Sequence, residues 1–142
     1  MKLSQLDDQS LFCALIVGEA EGEPFIGKLA VACVVRNRVK DSRWPDSYEK
    51  VILQPKQFSC FNQVPREDDI PETYMKRYFF HNFELIWWRE CWASANIVRN
   101  EYVSDITHGA TNYYADYMEE PPSWAKGKTP CFEFGKHLFF RL

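Results

Sequence analysis

The feature that most constrains the fold is an uninterrupted apolar run over residues 29–35 of the 142-residue chain. Pro24, which can begin a helix but cannot continue one, precedes this run, so the pattern predicts a helix over about residues 24–40. A helix that is apolar on every side has no face to offer to water, and such a helix lies at the centre of a bundle. We therefore expect other helices to pack around it.

Apolar spacing and β-prone segments predict the elements around this central helix. Three further helices are expected, over about residues 8–20, 46–53 and 72–99, the last of them as one helix or as a broken pair. Two β-prone segments, at 111–114 and 136–141, predict a short ribbon near the C-terminus. The expected fold class is α+β, mainly α, in one domain that covers residues 1–142.

Composition and charge exclude several classes of protein. Hydrophobic residues make up 46% of the chain and charged residues 26%, which is typical of a globular domain. Lys and Arg are not concentrated in any stretch, so we expect no nucleic acid as a partner. No apolar run approaches the roughly 20 residues that cross a bilayer, so we expect no membrane insertion. The five cysteines and three histidines lack the spacing of metal ligands, and we expect neither a metal nor a cofactor.

The densest group of polar and turn-forming residues, 18–24, joins the first predicted helix to the central one. A carboxylate held near the end of a buried helix is partly desolvated, which raises its pKa toward the range of a general acid. Glu19 is the candidate catalytic residue on this argument. Glu23 would share its face if the helix continued, although Gly22 and Pro24 oppose that. The alternative is that these acids form a solvated helix end.

Several short motifs follow one another along nearly the whole chain. In the N-terminal half they are Gly18-Glu19-Ala20-x-Gly22-Glu23-Pro24, Gly27-Lys28-x-Ala30-Val31-Ala32, Asn37-Arg38-Val39 and Gln57-Phe58-Ser59. In the C-terminal half they are Thr107-x-Gly109-Ala110-Thr111-x-Tyr113-Tyr114, Trp124 and Gly135-Lys136-His137-x-Phe139. In order and spacing these motifs resemble the spore-cortex-lytic cell-wall hydrolase family (SleB/CwlJ type). The aromatic and charged stretch over about residues 62–100 matches that family poorly.

The resemblance implies a lysozyme-like, mainly helical domain that cleaves the MurNAc–GlcNAc bond of peptidoglycan glycan strands. It puts Glu19 at the position of the family's catalytic acid, which protonates the glycosidic oxygen. If no second carboxylate lies opposite, the muramyl 6-hydroxyl attacks the sugar cation with Glu19 as base, and we expect this lytic transglycosylase outcome with 1,6-anhydro-MurNAc ends. Hydrolysis by an N-acetylmuramidase is the alternative, with Glu23, Asp105 and Asp116 as candidates for the second carboxylate.

Further residues of the matched motifs are candidates for binding the glycan, because amides and aromatic rings suit the polar edges and flat faces of sugars. They are Glu23, Gln57, Phe58, Ser59, His108, Asn112, Tyr113, Tyr114 and Trp124. Tyr113 and Tyr114 alternate faces in a strand, so at most one of them can point into a groove. The family often carries histidine at the position of Asn112, which leaves the role of that residue open. Trp124 has core packing as its alternative role.

Two other classes of function stay open on the sequence. In the first, Cys60 with His108 or His137 could form a thiol amidase or endopeptidase that cuts stem peptides. In the second, the chain is a non-catalytic module that binds the cell wall, and Glu19 then has no role as a general acid. The N-terminal residues lack the pattern of a secretory signal, and a lone wall-lytic domain of this kind resembles a bacteriophage endolysin. We therefore expect a monomer that stays in the host cytoplasm until a holin opens the membrane and then acts on the cell wall.

Overall fold

Five helices and three strands make up the part of the chain that the computed structural model describes, which is residues 1–54, 58, 61, 68–79 and 83–142. The helices are α1 (Asp8–Ala20), α2 (Phe25–Lys40), α3 (Tyr48–Ile52), α4 (Glu72–Tyr78) and α5 (Ile86–Arg99). The strands are β1 (Asn112–Ala115), β2 (Phe132–Phe134) and β3 (His137–Phe140). Short 3-10 turns occur at Leu3–Gln5 and Ser123–Ala125.

Helix α2 is the central helix that its sequence predicts. All of residues 29–35 are buried, and the helix packs against α1, α3 and α5. Helix α1 is buried in the same way over residues 11–17. The core is therefore built on two neighbouring helices that lack a polar face, because neither can expose a side to water.

The connection between α1 and α2 is short and holds the candidate acids together. Asp7 caps α1 by accepting a hydrogen bond of 2.7 Å from the backbone N–H of Ser10. The helix ends at Ala20, and Pro24 is the N-cap of α2. Only residues 21–24 separate the two helices. This leaves the last turn of α1 and the start of α2 at one end of the core.

Residues 72–99 form two helices, α4 and α5. This is one of the two predicted alternatives, a broken pair in place of a single long helix. Residues 80–82 between them lie outside the described part of the chain. Helix α5 packs against both α1 and α2, and α4 packs against α1. Trp88 is buried in this interface whereas the adjacent Trp87 is only partly buried, because neighbours on a helix point about 100° apart.

None of the helices in the described residues combines the length and the apolar character needed to cross a lipid bilayer.

The C-terminal strands form an antiparallel sheet in the order β1-β3-β2, which has one more strand than the predicted ribbon. The additional strand, β2, has only three residues, too few for an alternating pattern to stand out in the sequence. Tyr113 and Phe132 both pair with Phe139, so they share one face of the sheet. Tyr114 lies on the opposite face.

Candidate active site

Glu19 lies on the last turn of α1, half-buried, in the wall of an open cavity of about 210 Å³. The cavity is lined by residues 18–23, from the last turn of α1 and the connection that follows it, and, from the sheet side, by Tyr117, Lys136 and His137. The site therefore forms where the end of the first core helix meets the turns of the C-terminal sheet. A substrate can reach the Glu19 carboxyl from the open side of this cavity.

The surroundings of Glu19 shift its acidity. Burial raises the pKa of the Glu19 carboxyl above its ordinary value, and this is the largest effect on it. The hydroxyl of Tyr113 donates a hydrogen bond of 3.0 Å to Oε1 of Glu19. That bond and the positive charge of Arg38 act in the opposite direction, toward a lower pKa. The net shift is upward, which favours a carboxyl that can carry a proton to a substrate.

Arg38 supports the Glu19–Tyr113 pair from the last turn of α2. Its side chain is buried, and its Nε donates a 2.6 Å hydrogen bond to the carbonyl oxygen of Thr111, immediately before β1. Its guanidinium carbon lies 5.3 Å from the centre of the Phe58 ring. Burial lowers the pKa of Arg38, while Tyr113 and Glu19 act to raise it. Arg38 thus fixes the start of the strand that brings Tyr113 to Glu19.

Glu23 lines the same cavity but is held by the protein. Its Oε1 accepts a 3.0 Å hydrogen bond from the backbone N–H of Lys136, and the side chain is buried between Gly27 and Gly135. Nδ1 of His137 lies 3.3 Å from the same oxygen without hydrogen-bond geometry. Burial lowers the pKa of His137, so the imidazole is neutral near pH 7. Glu23 therefore braces the α1–α2 connection against the β2–β3 turn.

Lys28 anchors this connection from the other side. It is almost completely buried, and its Nζ donates hydrogen bonds to the carbonyl oxygen of Glu23 at 2.8 Å and to Oε1 of Glu90 at 3.0 Å. A buried ammonium needs such partners because its desolvation is costly when it is unpaired. Lys28 therefore links the cavity wall, through the Glu23 carbonyl oxygen, to Glu90 on α5.

Other carboxylates are engaged elsewhere or lie outside the cavity. Glu21 forms a two-point ion pair with Arg77, with contacts of 2.5 and 2.7 Å. Asp105 accepts hydrogen bonds from Thr107, Gly109 and Asn37, and these hydrogen bonds lower its pKa although burial alone would raise it. Asp116 is exposed after β1. Of the three predicted candidates for a second carboxylate, Glu23 alone lines the cavity with Glu19.

The two adjacent tyrosines of β1 point to opposite faces of the sheet, as strand alternation predicts. Tyr113 reaches Glu19, and its ring lies 5.1 Å from that of His137. Tyr114 packs against Phe140 at 5.6 Å and Trp124 at 5.9 Å between ring centres. The structure thus places Tyr114 and Trp124 in a small aromatic cluster on the face of the sheet opposite to Tyr113. Packing within the protein was the alternative to a glycan-binding role for these two residues.

Three of the remaining predicted binding residues, His108, Phe58 and Asn112, are absent from the lining of the Glu19 cavity. His108 lines a separate cavity of about 610 Å³, and Phe58 is buried beside Arg38. Asn112 accepts a 3.0 Å hydrogen bond from the Thr111 hydroxyl, on the Tyr114 face of β1. Their contact with a glycan stays a prediction. Three predicted residues lie outside the described part of the chain: Gln57, Ser59 and Cys60.

Arg38, Tyr117, Lys136 and His137 lie at the site although none was predicted to bind the glycan or to assist Glu19; His137 was considered only as a partner of Cys60. Three of them belong to the matched motifs, so the Asn37-Arg38 and Lys136-His137 pairs carried a usable signal. Tyr117 belongs to no motif, and only the folded chain brings it to the cavity. In the residues that the structure describes, no group of three or more His, Cys, Asp or Glu side chains could hold a metal ion.

The mainly helical fold with a small sheet, and the half-buried Glu19 at an open cavity, are the features expected of a lysozyme-like domain. Residues 22–140 match the sequence profile of the cell wall hydrolase family, and the chain belongs to this family. The match begins after Glu19, so the role of that residue rests on the geometry of the site and not on the profile. The family membership confirms the resemblance drawn from the sequence motifs.

The chain is similar to larger enzymes over part of their length. A spore cortex-lytic enzyme of Bacillus subtilis is 38% identical over 138 residues, which cover 94% of this chain and 37% of the relative. A spore cortex-lytic enzyme of Halalkalibacterium halodurans is 40% identical over 54 residues, 38% of this chain and 16% of the relative. The chain thus corresponds to well under half of the length of either relative.

Two solved structures share the fold. The catalytic domain of the germination-specific lytic transglycosylase SleB from Bacillus anthracis superposes with a TM-score of 0.69 at 23% identity, over 93% of this chain and 92% of that chain. The catalytic domain of the Bacillus cereus SleB protein gives the same TM-score and identity, over 88% of that chain. These similarities confirm the predicted fold class, mainly helical with a small C-terminal sheet.

Proposed function

We propose that this chain cleaves peptidoglycan glycan strands at the MurNAc–GlcNAc bond, with Glu19 as general acid and then as general base. The observation that carries the proposal is the Glu19 carboxyl itself, which is half-buried, has a raised pKa and faces an open cavity. Membership of the cell wall hydrolase family and the names of the relatives support the substrate class.

In the first step, protonated Glu19 donates its proton to the glycosidic oxygen as the bond from that oxygen to the muramyl C1 breaks. The sugar is left with oxocarbenium character, and Glu19 becomes a carboxylate. The Tyr113 hydroxyl and the charge of Arg38 both favour this ionised form. They thereby stabilise the state that the first step produces.

In the second step, the muramyl 6-hydroxyl attacks C1 of the same sugar while the Glu19 carboxylate removes its proton. The product is a 1,6-anhydro-MurNAc end, the first proton stays on the hydroxyl of the departing sugar, Glu19 is protonated again by the proton of the 6-hydroxyl, and no water is consumed. This lytic transglycosylase outcome needs one carboxyl group only. It is supported by the engagement of Glu23 with the Lys136 backbone and of Glu21 with Arg77.

A hydrolytic N-acetylmuramidase is the second candidate, because Glu23 lines the cavity with Glu19. In that reaction a second carboxylate activates water or stabilises the cation. Glu23→Gln separates the two outcomes, since glutamine keeps an oxygen for the Lys136 N–H but loses the charge. A transglycosylase should keep most of its activity in this variant, whereas a muramidase should lose at least about 100-fold.

The test of the proposed function is mass spectrometry of the soluble fragments released from purified peptidoglycan. Muramyl ends one water lighter than reducing ends are expected, and Glu19→Gln should lower the rate by about 10²–10⁴-fold. Glu21→Gln is the matched control, because Glu21 lines the same cavity but is paired with Arg77. Intact glycan with cut stem peptides, or cleavage that does not depend on Glu19, would contradict the proposal.

We also propose the biological setting that the sequence predicts, a monomeric phage endolysin that depends on a holin to reach the wall. Its support is the resemblance of the sequence motifs to a wall-lytic domain. Expression of the chain in a bacterial host, with and without a holin, tests this setting. Lysis only in the presence of the holin is expected, and export or lysis in its absence would contradict it.

A further inference from the structure

Tyr117 is an aromatic residue at the mouth of the Glu19 cavity. It follows β1 by two positions, and 76% of its surface is exposed. Among the residues that the structure describes, its ring and hydroxyl have no partner, in contrast to the packed rings of Tyr113 and Tyr114. A large aromatic side chain at this position contributes little to the stability of the fold, because it buries little surface.

Lys136 lies beside Tyr117 on the same rim. The backbone N–H of Asp116 donates a 2.7 Å hydrogen bond to the Lys136 carbonyl oxygen, which ties the turn after β1 to the turn between β2 and β3. The Lys136 backbone N–H is bound to Glu23, whereas its ammonium has no ion-pair partner within the described part of the chain. The backbone of this rim is thus fixed while its two side chains are free.

The size of the cavity implies that the substrate extends over this rim. Its volume is about 210 Å³, below the roughly 300–1,000 Å³ of pockets that enclose a small ligand. A glycan strand whose scissile oxygen meets Glu19 must therefore lie across the mouth, in contact with the rim. The flat face of a sugar ring and an exposed aromatic ring are complementary apolar surfaces.

We propose that Tyr117 is a platform on which a sugar ring next to the scissile bond stacks, and that Lys136 binds the lactyl carboxylate of a muramyl residue that carries no stem peptide. This inference rests on the proposed function and specifies its substrate class as glycan strands whose muramyl residues bear a free, anionic lactyl group. Neither side chain takes part in the proton transfers. Both bind the substrate in its ground state and in the transition state, so they affect KM and not kcat.

The experiment uses soluble, uncrosslinked glycan strands from which the stem peptides have been removed, so that each muramyl residue keeps its lactyl carboxylate. Tyr117→Ala should raise KM by about three- to tenfold, with kcat within about twofold of the parent. Tyr117→Leu, which keeps apolar bulk without a flat face, should resemble Tyr117→Ala, whereas Tyr117→Trp should keep a low KM. Tyr102→Ala is the matched control, since Tyr102 is 75% exposed and lines a different cavity.

The charge of Lys136 is tested by the salt dependence of KM. Lys136→Met should raise KM by about two- to fivefold at low salt, and the difference should vanish at high salt because a rim charge is screened. Lys128→Met, at an exposed lysine that does not line the cavity, is the control and should match the parent at every salt concentration.

The outcomes separate this inference from the proposed function. A parent protein without Glu19-dependent cleavage of the strands would refute the proposed function. An active parent in which Tyr117→Ala has the KM of Tyr102→Ala would refute the platform alone. A fall in kcat at unchanged KM would also refute it, because Tyr117 would then act in the chemistry. A salt-independent effect of Lys136→Met would refute the recognition of an anionic group.

Discussion

Gly135 is the position where one added methyl group should have the sharpest effect on stability. It lies between β2 and β3 with a φ of 58°, in the left-handed region. A Cβ at this position would lie 2.1 Å from Oε2 of Glu23 and 2.9 Å from its Cδ. On its other side, Glu23 is packed against Gly27, and its Oε1 accepts a hydrogen bond from the Lys136 backbone N–H, so a shift of the carboxylate disturbs both contacts. Gly135→Ala therefore forces the turn or the Glu23 brace to shift.

Two effects add in the expected loss of stability. A residue with a Cβ in the left-handed region costs about 1–2 kcal/mol, and forcing a methyl group into an occupied space costs about 1–3 kcal/mol. The free energy of unfolding should fall by about 3 kcal/mol for Gly135→Ala. In a domain of this size such a loss lowers Tm by about 10 °C, which a thermal melt followed by circular dichroism measures.

Gly127→Ala isolates the backbone effect in this experiment. Gly127 has a φ of 74°, and a Cβ built there meets no atom within 4 Å, so only about 1–2 kcal/mol should be lost. Adding Glu23→Ala to Gly135→Ala removes the clashing carboxylate, and the two substitutions should be less than additive by about 1 kcal/mol or more. Equal losses for the two glycine variants, or strict additivity with Glu23→Ala, would refute the reasoning.

Three further predictions concern the acid and the alternative nucleophile. Tyr113→Phe removes a hydrogen bond that lowers the pKa of Glu19, so the alkaline limb of the kcat–pH profile should move to higher pH while kcat falls about tenfold; an unmoved limb would contradict this. Because the pKa of Glu19 is raised in the folded state, ionisation of Glu19 lowers the stability of the parent protein as pH rises through that pKa. Urea unfolding should therefore find Glu19→Gln more stable than the parent near pH 8. The difference in unfolding free energy should shrink as pH falls through the raised pKa of Glu19 and be smallest below about 4.5, and a constant difference would refute the assignment. Cys60→Ala should leave glycan cleavage unchanged within about twofold, and lost cleavage in a folded variant would favour a thiol mechanism.

The core could be predicted from the sequence because the apolar pattern of its central helix is compatible with burial only. A segment such as 29–35, apolar at every position, can only be buried, and Pro24 gives its start. The helical character of residues 72–99 followed in the same way, whereas the sequence left one helix and a broken pair open and the structure has two helices. These elements are decided by residues close together in the chain, which is the kind of information that periodicity carries.

The details of the site could be predicted only in part, because its contacts join residues that are far apart in the chain. Glu19 was accessible to a local argument, since its place at the end of a buried helix already implies desolvation. Its hydrogen-bond partner Tyr113 is 94 positions away in the chain, and neither residue spacing nor secondary-structure propensity predicts a contact between residues so far apart. Tyr117 and the strand β2 also depend on how the C-terminal segment folds back onto the helices.

The opposing effects on Glu19 match the two tasks that the proposed reaction gives it. Burial alone would favour the protonated form and make the carboxylate that the first step produces costly to form, whereas neighbouring positive charge alone would leave little of the carboxyl protonated for the first step. The structure combines burial with Tyr113 and Arg38, each of which favours the carboxylate. Arg38 extends from the polar end of the central helix, and its Nε donates a hydrogen bond to the Thr111 carbonyl oxygen at the edge of the sheet. The apolar helix that organises the core therefore also delivers the buried cation that balances the acid.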